Sequence, residues 1–184
     1  MVNVEQGTQP LSNALVAKTI EENGCFSLIY RRDRHLDRGG KRIYFYFRPH
    51  LAITLKADKV DFLKAVRESI GCGKITQTER QARLDVFSPR DSKGIIKILQ
   101  SHNWQNKNKY NDFKLWEEAI EIILKNQKRT VNAEKGKRGF VSTWSQFNQR
   151  DFRRLFRIRE EMKRYKRWRK ADYKWTNSLL ARPF

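Results

Sequence analysis

Basic and aromatic side chains cluster in two parts of this sequence, and together they could bind nucleic acid. Tyr44, Tyr46 and Arg48 occupy every second position of one stretch. Lysine and arginine residues interleave with aromatic residues around Trp168. Arginine can bridge phosphates or contact guanine edges, and tyrosine can stack on unpaired bases. These residue types indicate contact with a polyanion, which could be RNA or DNA.

Cysteine and histidine give no comparable signal for a metal centre. Cys25 and Cys72 are too few for a disulfide framework, and neither belongs to a zinc-binding spacing. The histidines, His35, His50 and His102, are scattered. We interpret both cysteines as small buried apolar residues, and we expect neither a metal nor a cofactor.

Charge is the dominant compositional feature. The 184 residues include 40 Lys and Arg against 20 Asp and Glu, a net charge of +20. Such an excess opposes compaction unless a polyanion neutralises it. Residues 128–184 alone hold 18 basic and 5 acidic residues. We therefore predict an N-terminal arm at 1–10, one domain at 11–126 and a basic, aromatic-rich extension at 127–184.

Targeting and membrane segments are not indicated. No apolar stretch approaches the roughly 20 residues that a membrane helix needs. The first ten residues carry one acid and no base, which is unlike a signal or transit peptide.

The spacing of apolar residues predicts alternating helices and hairpins. Helices are predicted at 11–22, capped by Ser12 or Asn13, at 58–70, ended by Gly71, and at 92–100 and 112–125. Strands are predicted at 25–32, 42–55, 74–78 and 83–87. The predicted fold is α+β, with the order αββαββα and a four-stranded antiparallel sheet that carries helices on one face only.

Three segments resemble the LAGLIDADG homing endonuclease family. The sequence VAKTIEENG at 16–24 lies where the signature helix of that family would be, and IGCGKI at 70–75 is similar to its turn into the third strand. KYNDFKLW at 109–116 is similar to the start of a later helix. The resemblance covers roughly residues 11–126 and implies a sheet that sits as a saddle on nucleic acid.

The resemblance also implies that catalysis has been lost. In the family, the acid before the motif glycine binds the divalent metals that cut DNA, and this sequence has Asn23 there. A neutral amide is a poor anchor for such ions. Glu21 and Glu22 are weak substitutes, because neighbouring residues on a helix point about 100° apart. The sequence therefore leans against enzymatic activity, and Mg²⁺ would be needed only if cleavage were retained.

Two lysines bear on the same question. The family keeps a small residue at the position of Lys18, where two signature helices touch, so that a homodimer is doubtful here. Lys109 lies where the family places a lysine near the scissile phosphate, but it could equally bind phosphate without catalysis.

Alternation predicts which residues the open face of the sheet presents to nucleic acid. They are Ser27, Ile29, Arg31, Tyr44, Tyr46, Arg48, His50, Lys74, Thr76, Thr78, Arg83 and Asp85. Among them we predict binding by Arg31, the two tyrosines, Arg48, His50, Lys74, Thr76 and Arg83.

The C-terminal extension is predicted to hold a helix near 149–170, capped by Asn148. Its apolar stripe would be Phe152, Leu155, Ile158, Met162 and Tyr165. Its predicted binding residues are Arg150, Arg153, Arg154, Arg157, Lys163, Arg164, Lys166, Arg167, Trp168, Arg169 and Lys170. Unneutralised charges at this density would repel one another, and phosphate contact relieves that repulsion.

Two functions from different classes follow, and a DNA-binding regulator on the same scaffold is a third possibility. The first is a cleavage-deficient LAGLIDADG-type protein that binds structured RNA, either as a structural protein of an organellar ribosome, beside rRNA and other ribosomal proteins, or as an intron maturase. The expected compartment is the mitochondrion, with the chloroplast as the alternative. The second function is an active, metal-dependent homing DNA endonuclease that works as a dimer.

Overall fold

The computed structural model describes residues 10–37, 40–131 and 147–163, with side chains at 10–31, 46–126 and 147–163. The helices are α1 (Asn13–Asn23), α2 (Val60–Ile70), α3 (Ser92–Gln100), α4 (Lys107–Val131) and α5 (Gln149–Glu161). The strands are β1 (Gly24–Asp37), β2 (Gly40–Lys56), β3 (Lys74–Gln77) and β4 (Gln81–Val86). A short 3-10 turn, Ala57–Lys59, precedes α2.

The strands form one four-stranded sheet in the order β1-β2-β4-β3. The two pairs that include β4 are antiparallel, with Ile53 and Ile75 both opposite Leu84. This confirms the predicted α+β class and the four-stranded antiparallel sheet. Described residues fall into two compact units, which divide at Phe26–Ser27, at Arg48–Pro49 and at Phe113–Lys114.

The first unit contains α1, α2, α3, β3, β4 and the second half of β2. Ser12 begins α1 as predicted, since its hydroxyl accepts a hydrogen bond of 3.3 Å from the Leu15 amide. Val16 and Ile20 are completely buried on the inner face of this helix. Gly71 ends α2 with a φ of 69°, a left-handed conformation that favours glycine.

The second unit contains most of β1, the first part of β2, most of α4 and all of α5. An aromatic cluster forms its core, in which Tyr30 and Phe47 from the strands meet Phe152 and Phe156 from α5. Ring centroids lie 4.8 Å apart for Tyr30–Phe156 and 5.1 Å apart for Phe47–Phe156. Burial raises the pKa of Tyr30, and the charge of Arg159 offsets only part of that rise. α5 is thus packed into this unit through its apolar face.

The bounds of α4 and α5 differ most from prediction. α4 begins at Lys107 rather than at 112, because Asn106 caps it by accepting a 3.0 Å hydrogen bond from the Lys109 amide. Its first turn lacks the apolar spacing that indicated a helix further along. α4 also continues past Asn126, after which the domain boundary is predicted. The boundary stays a prediction.

α5 ends at Glu161, before the predicted end near residue 170, and residues 164–170 lie outside the described part of the chain. Its predicted cap is confirmed, since Asn148 Oδ1 accepts a 2.8 Å hydrogen bond from the Asp151 amide.

The interpretation of the cysteines is wrong for Cys25, which is exposed. It lies on β1 between buried neighbours, and strand alternation turns its side chain outward. Cys72 is half-buried, and burial, aided by the negative charge of Asp91, raises the pKa of its thiol to about 11.

Candidate nucleic-acid interface

The C-terminal end of α1 holds the position at which the family resemblance places the catalytic acid. Asn23 is exposed there, and its amide nitrogen lies 3.5 Å from the Thr19 carbonyl oxygen. Gly24 follows it and begins β1. A Cβ atom at Gly24 would lie 2.4 Å from the Ile20 carbonyl oxygen, so the turn from helix into strand requires glycine.

Glu21, the first of the two adjacent acids that precede Asn23, is buried and already has three hydrogen-bond partners. Its Oε1 accepts hydrogen bonds of 2.7 Å from the backbone amides of both Gln105 and Asn106. Its Oε2 lies 2.8 Å from His102 Nε2. Both carboxylate oxygens therefore hold the segment that leads into α4.

The ionisation of Glu21 follows from these contacts. Burial alone would raise the pKa of its carboxyl group. The backbone amide of Asn106, the His102 side chain and the backbone amide of Gln105 outweigh burial and bring the pKa below its ordinary value. The carboxylate is thus charged at neutral pH, but its charge is used within the protein.

Glu22 and Lys18 lie on the exposed side of α1. Their side chains are 58% and 67% exposed, and Glu22 Oε1 lies 4.0 Å from Lys18 Nζ. An ion pair this exposed contributes little to stability. Lys18 occupies no buried helix crossing in the described chain, and the expectation that it disfavours a homodimer stays a prediction.

Lys109, which the resemblance places near the scissile phosphate, lies beside the motif glycine in the structure. Its Nζ donates a hydrogen bond to the Gly24 carbonyl oxygen, next to Asn23. The lysine therefore lies at the end of α1 and can offer a positive charge to a phosphate there. A groove of about 920 Å³ joins it to the α1 residues Lys18, Glu21 and Glu22.

The groups at this corner fit a two-metal centre poorly. Asn23 supplies only a neutral oxygen, Glu21 has no carboxylate oxygen left over, and Glu22 is a single exposed acid. Two-metal phosphodiester cleavage needs several anionic oxygen ligands around the ions. Within the described residues, no group of three or more His, Cys, Asp or Glu side chains is placed to hold a metal ion.

The open sheet face in the first unit centres on Asp85. Its Oδ1 lies 2.8 Å from Arg83 Nε and 2.6 Å from His50 Nε2. The His50 ring also stacks on Phe87, with centroids 4.4 Å apart. In the sheet register, Lys74 is paired with Asp85 and Thr76 with Arg83.

The expectation that His50 lies open on this face is wrong, because the residue is only 8% exposed. It packs between Asp85 and Phe87 and orients the acid that in turn holds Arg83. Lys74 and Thr76 are exposed, as predicted, and Arg83 is half-exposed. Thr78 lies in the β3–β4 turn, where its amide donates to the Gln81 carbonyl oxygen.

The sheet face in the second unit alternates as predicted along β1. Leu28 and Tyr30 are buried, Ser27 and Ile29 are half-buried, and Arg31 is exposed. On β2, Tyr46 and Arg48 are half-buried, and the side chain of Tyr44 lies outside the described residues.

The predicted binding residues of the extension have different environments on α5. Arg150, Arg153 and Arg157 are exposed, whereas Arg154 is half-buried against acids. Lys163 follows the helix and pairs with Glu160 at 2.7 Å. Outside the described residues lie Arg164, Lys166, Arg167, Trp168, Arg169 and Lys170.

Sequence reasoning missed several partners that set these environments. Glu118 binds Arg154 through two hydrogen bonds of 2.6 Å. Buried Asn126 donates a 2.9 Å hydrogen bond to Asp151. No local spacing could reveal either contact, because the partners are 36 and 25 residues apart. Sequence reasoning also missed the start of α4, which Asn106 could have signalled, because asparagine favours the position just before a helix.

A helix that ends at Gly24 and leads into a four-stranded antiparallel sheet gives this chain the architecture of a homing endonuclease. The family model described as LAGLIDADG endonuclease matches residues 20–120. The chain belongs to the LAGLIDADG endonuclease family. No curated protein is significantly similar to it in sequence.

Solved structures with the same fold include three homing endonucleases. I-TnaI aligns with a TM-score of 0.62 and 15% identity, over 84% of this chain and 89% of its own. I-GzeII in complex with its DNA target aligns with a TM-score of 0.58 and 18% identity, over 81% of this chain and 44% of its own. I-SmaMI bound to cleaved DNA aligns with a TM-score of 0.57 and 14% identity, over 80% of this chain and 42% of its own. The chain spans less than half the length of the last two.

No helix in the described part of the chain is both long and apolar enough to cross a membrane.

Proposed function

We propose that this protein is a cleavage-deficient LAGLIDADG protein that binds structured RNA as a structural component of a mitochondrial ribosome. The loss of cleavage is supported by the residues at the C-terminal end of α1. Asn23 stands where the family resemblance places the metal-binding acid, and Glu21, two residues earlier, uses both of its oxygens to hold the segment before α4.

Binding is retained on this proposal because the basic side chains remain while the catalytic ligands do not. Arg83 and Lys74 lie on the sheet face of the first unit, and Arg31 on that of the second. On this proposal Lys109 binds phosphate and takes no part in catalysis. A bound polyanion would also relieve the repulsion that a net charge of +20 creates.

RNA is favoured over duplex DNA by the aromatic content of the same surfaces. Tyr46 lies on β2 beside Arg48, and aromatic rings stack on the unpaired bases of RNA loops. In the two DNA-bound relatives the ligand is DNA, so the choice of nucleic acid needs a direct test.

Binding and cleavage can be tested together on the full chain. We expect the wild type to bind organellar ribosomal RNA more tightly than a DNA duplex of matched length, with strong salt dependence. We expect no Mg²⁺-dependent cutting of plasmids that carry fragments of the organellar genome. Cutting by the wild type that Glu22→Gln abolishes would instead establish the endonuclease alternative, with Glu22 as a metal ligand.

The ribosomal role has its own measurement. Mitochondrial lysate is sedimented at moderate and high salt, with and without RNase, and the protein is followed by immunoblot. Migration with a ribosomal subunit that survives high salt and is lost after RNase is the expected result. Migration with intron-containing transcripts would make the protein a maturase, and detection instead with the ribosomes of a chloroplast lysate would change the compartment.

A further inference from the structure

A groove of about 860 Å³ in the second unit, between α4 and the start of α5, is lined mainly by basic and polar side chains. α4 contributes Glu118, Ile122 and Lys125, and α5 contributes Arg150, Arg153, Arg154 and Arg157 together with Asp151. Ile122 is the one aliphatic side chain in this lining. The groove is therefore suited to a charged ligand rather than to an apolar one.

Both acidic side chains that line the groove already form ion pairs with basic side chains of the protein. Glu118 binds Arg154 at 2.6 Å, and Asp151 lies 3.4 Å from Lys125 Nζ. The amide nitrogens of Asn126 and Asn148 also donate to Asp151, at 2.9 and 3.0 Å. Burial would raise the pKa of Asp151, but these hydrogen bonds outweigh it and lower the pKa.

The two remaining acids of α5 are used in the same way. Glu160 lies 2.7 Å from both Arg159 and Lys163, and Glu161 lies 3.4 Å from Arg154. No acid of α5 is then left to neutralise the other arginines of this helix.

Arg150, Arg153 and Arg157 are those arginines. All three are exposed, and none makes an ion pair with a side chain in the described ranges 10–31, 46–126 and 147–163. Their spacings of three and four residues place them on one face of α5. Because 100° separates successive residues, this face is nearly opposite the one that carries the buried Phe152, Leu155 and Ile158.

α5 presents these arginines from a fixed position. Phe152 and Phe156 pack against Tyr30 and Phe47 in the aromatic cluster, and the double hydrogen bond from Arg154 to Glu118 ties α5 to α4. A helix held on two sides loses little further freedom when a ligand binds.

We propose that this groove binds the phosphate backbone of RNA without reading its sequence, with Arg150, Arg153 and Arg157 as the phosphate ligands. Arg154 is then a positioning residue, since Glu118 occupies its guanidinium. This proposal rests on the proposed function and adds to it a second RNA contact made by the extension. A guanidinium matches phosphate oxygens in charge and geometry, whereas Ile122 is the single aliphatic side chain in this lining that could anchor a protein partner.

The test compares two triple variants of the full chain. Arg150→Gln, Arg153→Gln and Arg157→Gln are combined in one, and Arg90→Gln, Lys93→Gln and Lys97→Gln in the other. The second triple removes the same charge from exposed positions at and near α3. Binding to organellar ribosomal RNA is measured by fluorescence anisotropy across a salt series, and thermal melting verifies that each variant is folded.

The groove triple is expected to lower the slope of log affinity against log salt by about two, since each phosphate contact contributes about 0.7 to 0.9. Affinity at low salt should fall about tenfold to a hundredfold, with a much smaller change for the control triple. Replacing the same three arginines with lysine should preserve most of the slope.

Two results are distinct failures. A wild type that does not bind ribosomal RNA overturns the proposed function itself. A wild type that binds, with a groove triple whose slope equals that of the control triple, overturns only the groove. In that case an acidic polypeptide is the occupant to consider next.

Discussion

Glu21 Oε2 lies 2.8 Å from His102 Nε2, which fixes a carboxylate of α1 against a residue 81 positions later in the chain. Together with the two amide hydrogen bonds to Oε1, this contact converts one acid of the motif segment from a possible metal ligand into a structural one. The neighbouring Glu22, which is exposed, provides a matched control for its role.

Glu21→Gln is expected to reduce the free energy of unfolding by about 2 kcal/mol, because it replaces charge-assisted hydrogen bonds at a buried site with neutral ones. Glu22→Gln should change it by less than about 0.5 kcal/mol, since that side chain is exposed. Urea unfolding of both variants and the wild type measures the difference. Equal destabilisation by the two substitutions would contradict the structural role of Glu21.

The same carboxylate should make stability depend on pH. Its pKa in the folded protein is below the ordinary value, so its contribution is present above the unfolded pKa and is lost as the pH falls through the folded pKa. The gap in unfolding free energy between wild type and Glu21→Gln should therefore be full near neutral pH and narrow below about pH 4. Urea midpoints at a series of pH values test this, and a gap that stays constant on acidification would argue against it.

Much of the core could be predicted from sequence, because its signals are local. The Ser12 cap, the end of α2 at Gly71 and the burial of alternate residues along β1 all depend on neighbours within a few positions. Contacts between distant segments could not be predicted. His50 shows this, since its sequence position indicated an open face but Asp85 and Phe87 enclose it.

The environments of the α5 arginines were also beyond the sequence. The basic pattern predicted phosphate contact for Arg154 as readily as for Arg153. Only the structure shows that Glu118, on α4, holds Arg154 and leaves Arg153 exposed.

The pair formed by Arg154 and Glu118 can be measured by a double-mutant cycle. Arg154→Gln, Glu118→Gln and the double variant should give a coupling energy of about 0.5 to 1 kcal/mol in urea unfolding, because both side chains are more than a third exposed and water screens them. Arg153→Gln combined with Glu118→Gln is the control and should give additive effects. Coupling as large in the control as in the pair would mean that the contact is not specific.

Packing of α5 through its aromatic face determines how the extension can be studied. Phe156 is 4% exposed and contacts both Tyr30 and Phe47, so Phe156→Ala should cost about 3 to 5 kcal/mol through lost burial and the cavity that remains. Tyr110→Ala, at a site 41% exposed, should cost about 1 kcal/mol or less. Thermal and urea unfolding distinguish these values.

Removing the whole extension should have a larger effect of the same kind. Deletion of residues 127–184 takes away α5 and uncovers Tyr30 and Phe47, so we expect a lower melting temperature and aggregation. A drop in RNA binding by that truncation would then report misfolding as much as lost contacts, which is why substitutions of exposed arginines are the better probe. A truncated chain that does not aggregate and melts like the wild type would show that α5 contributes little to the second unit.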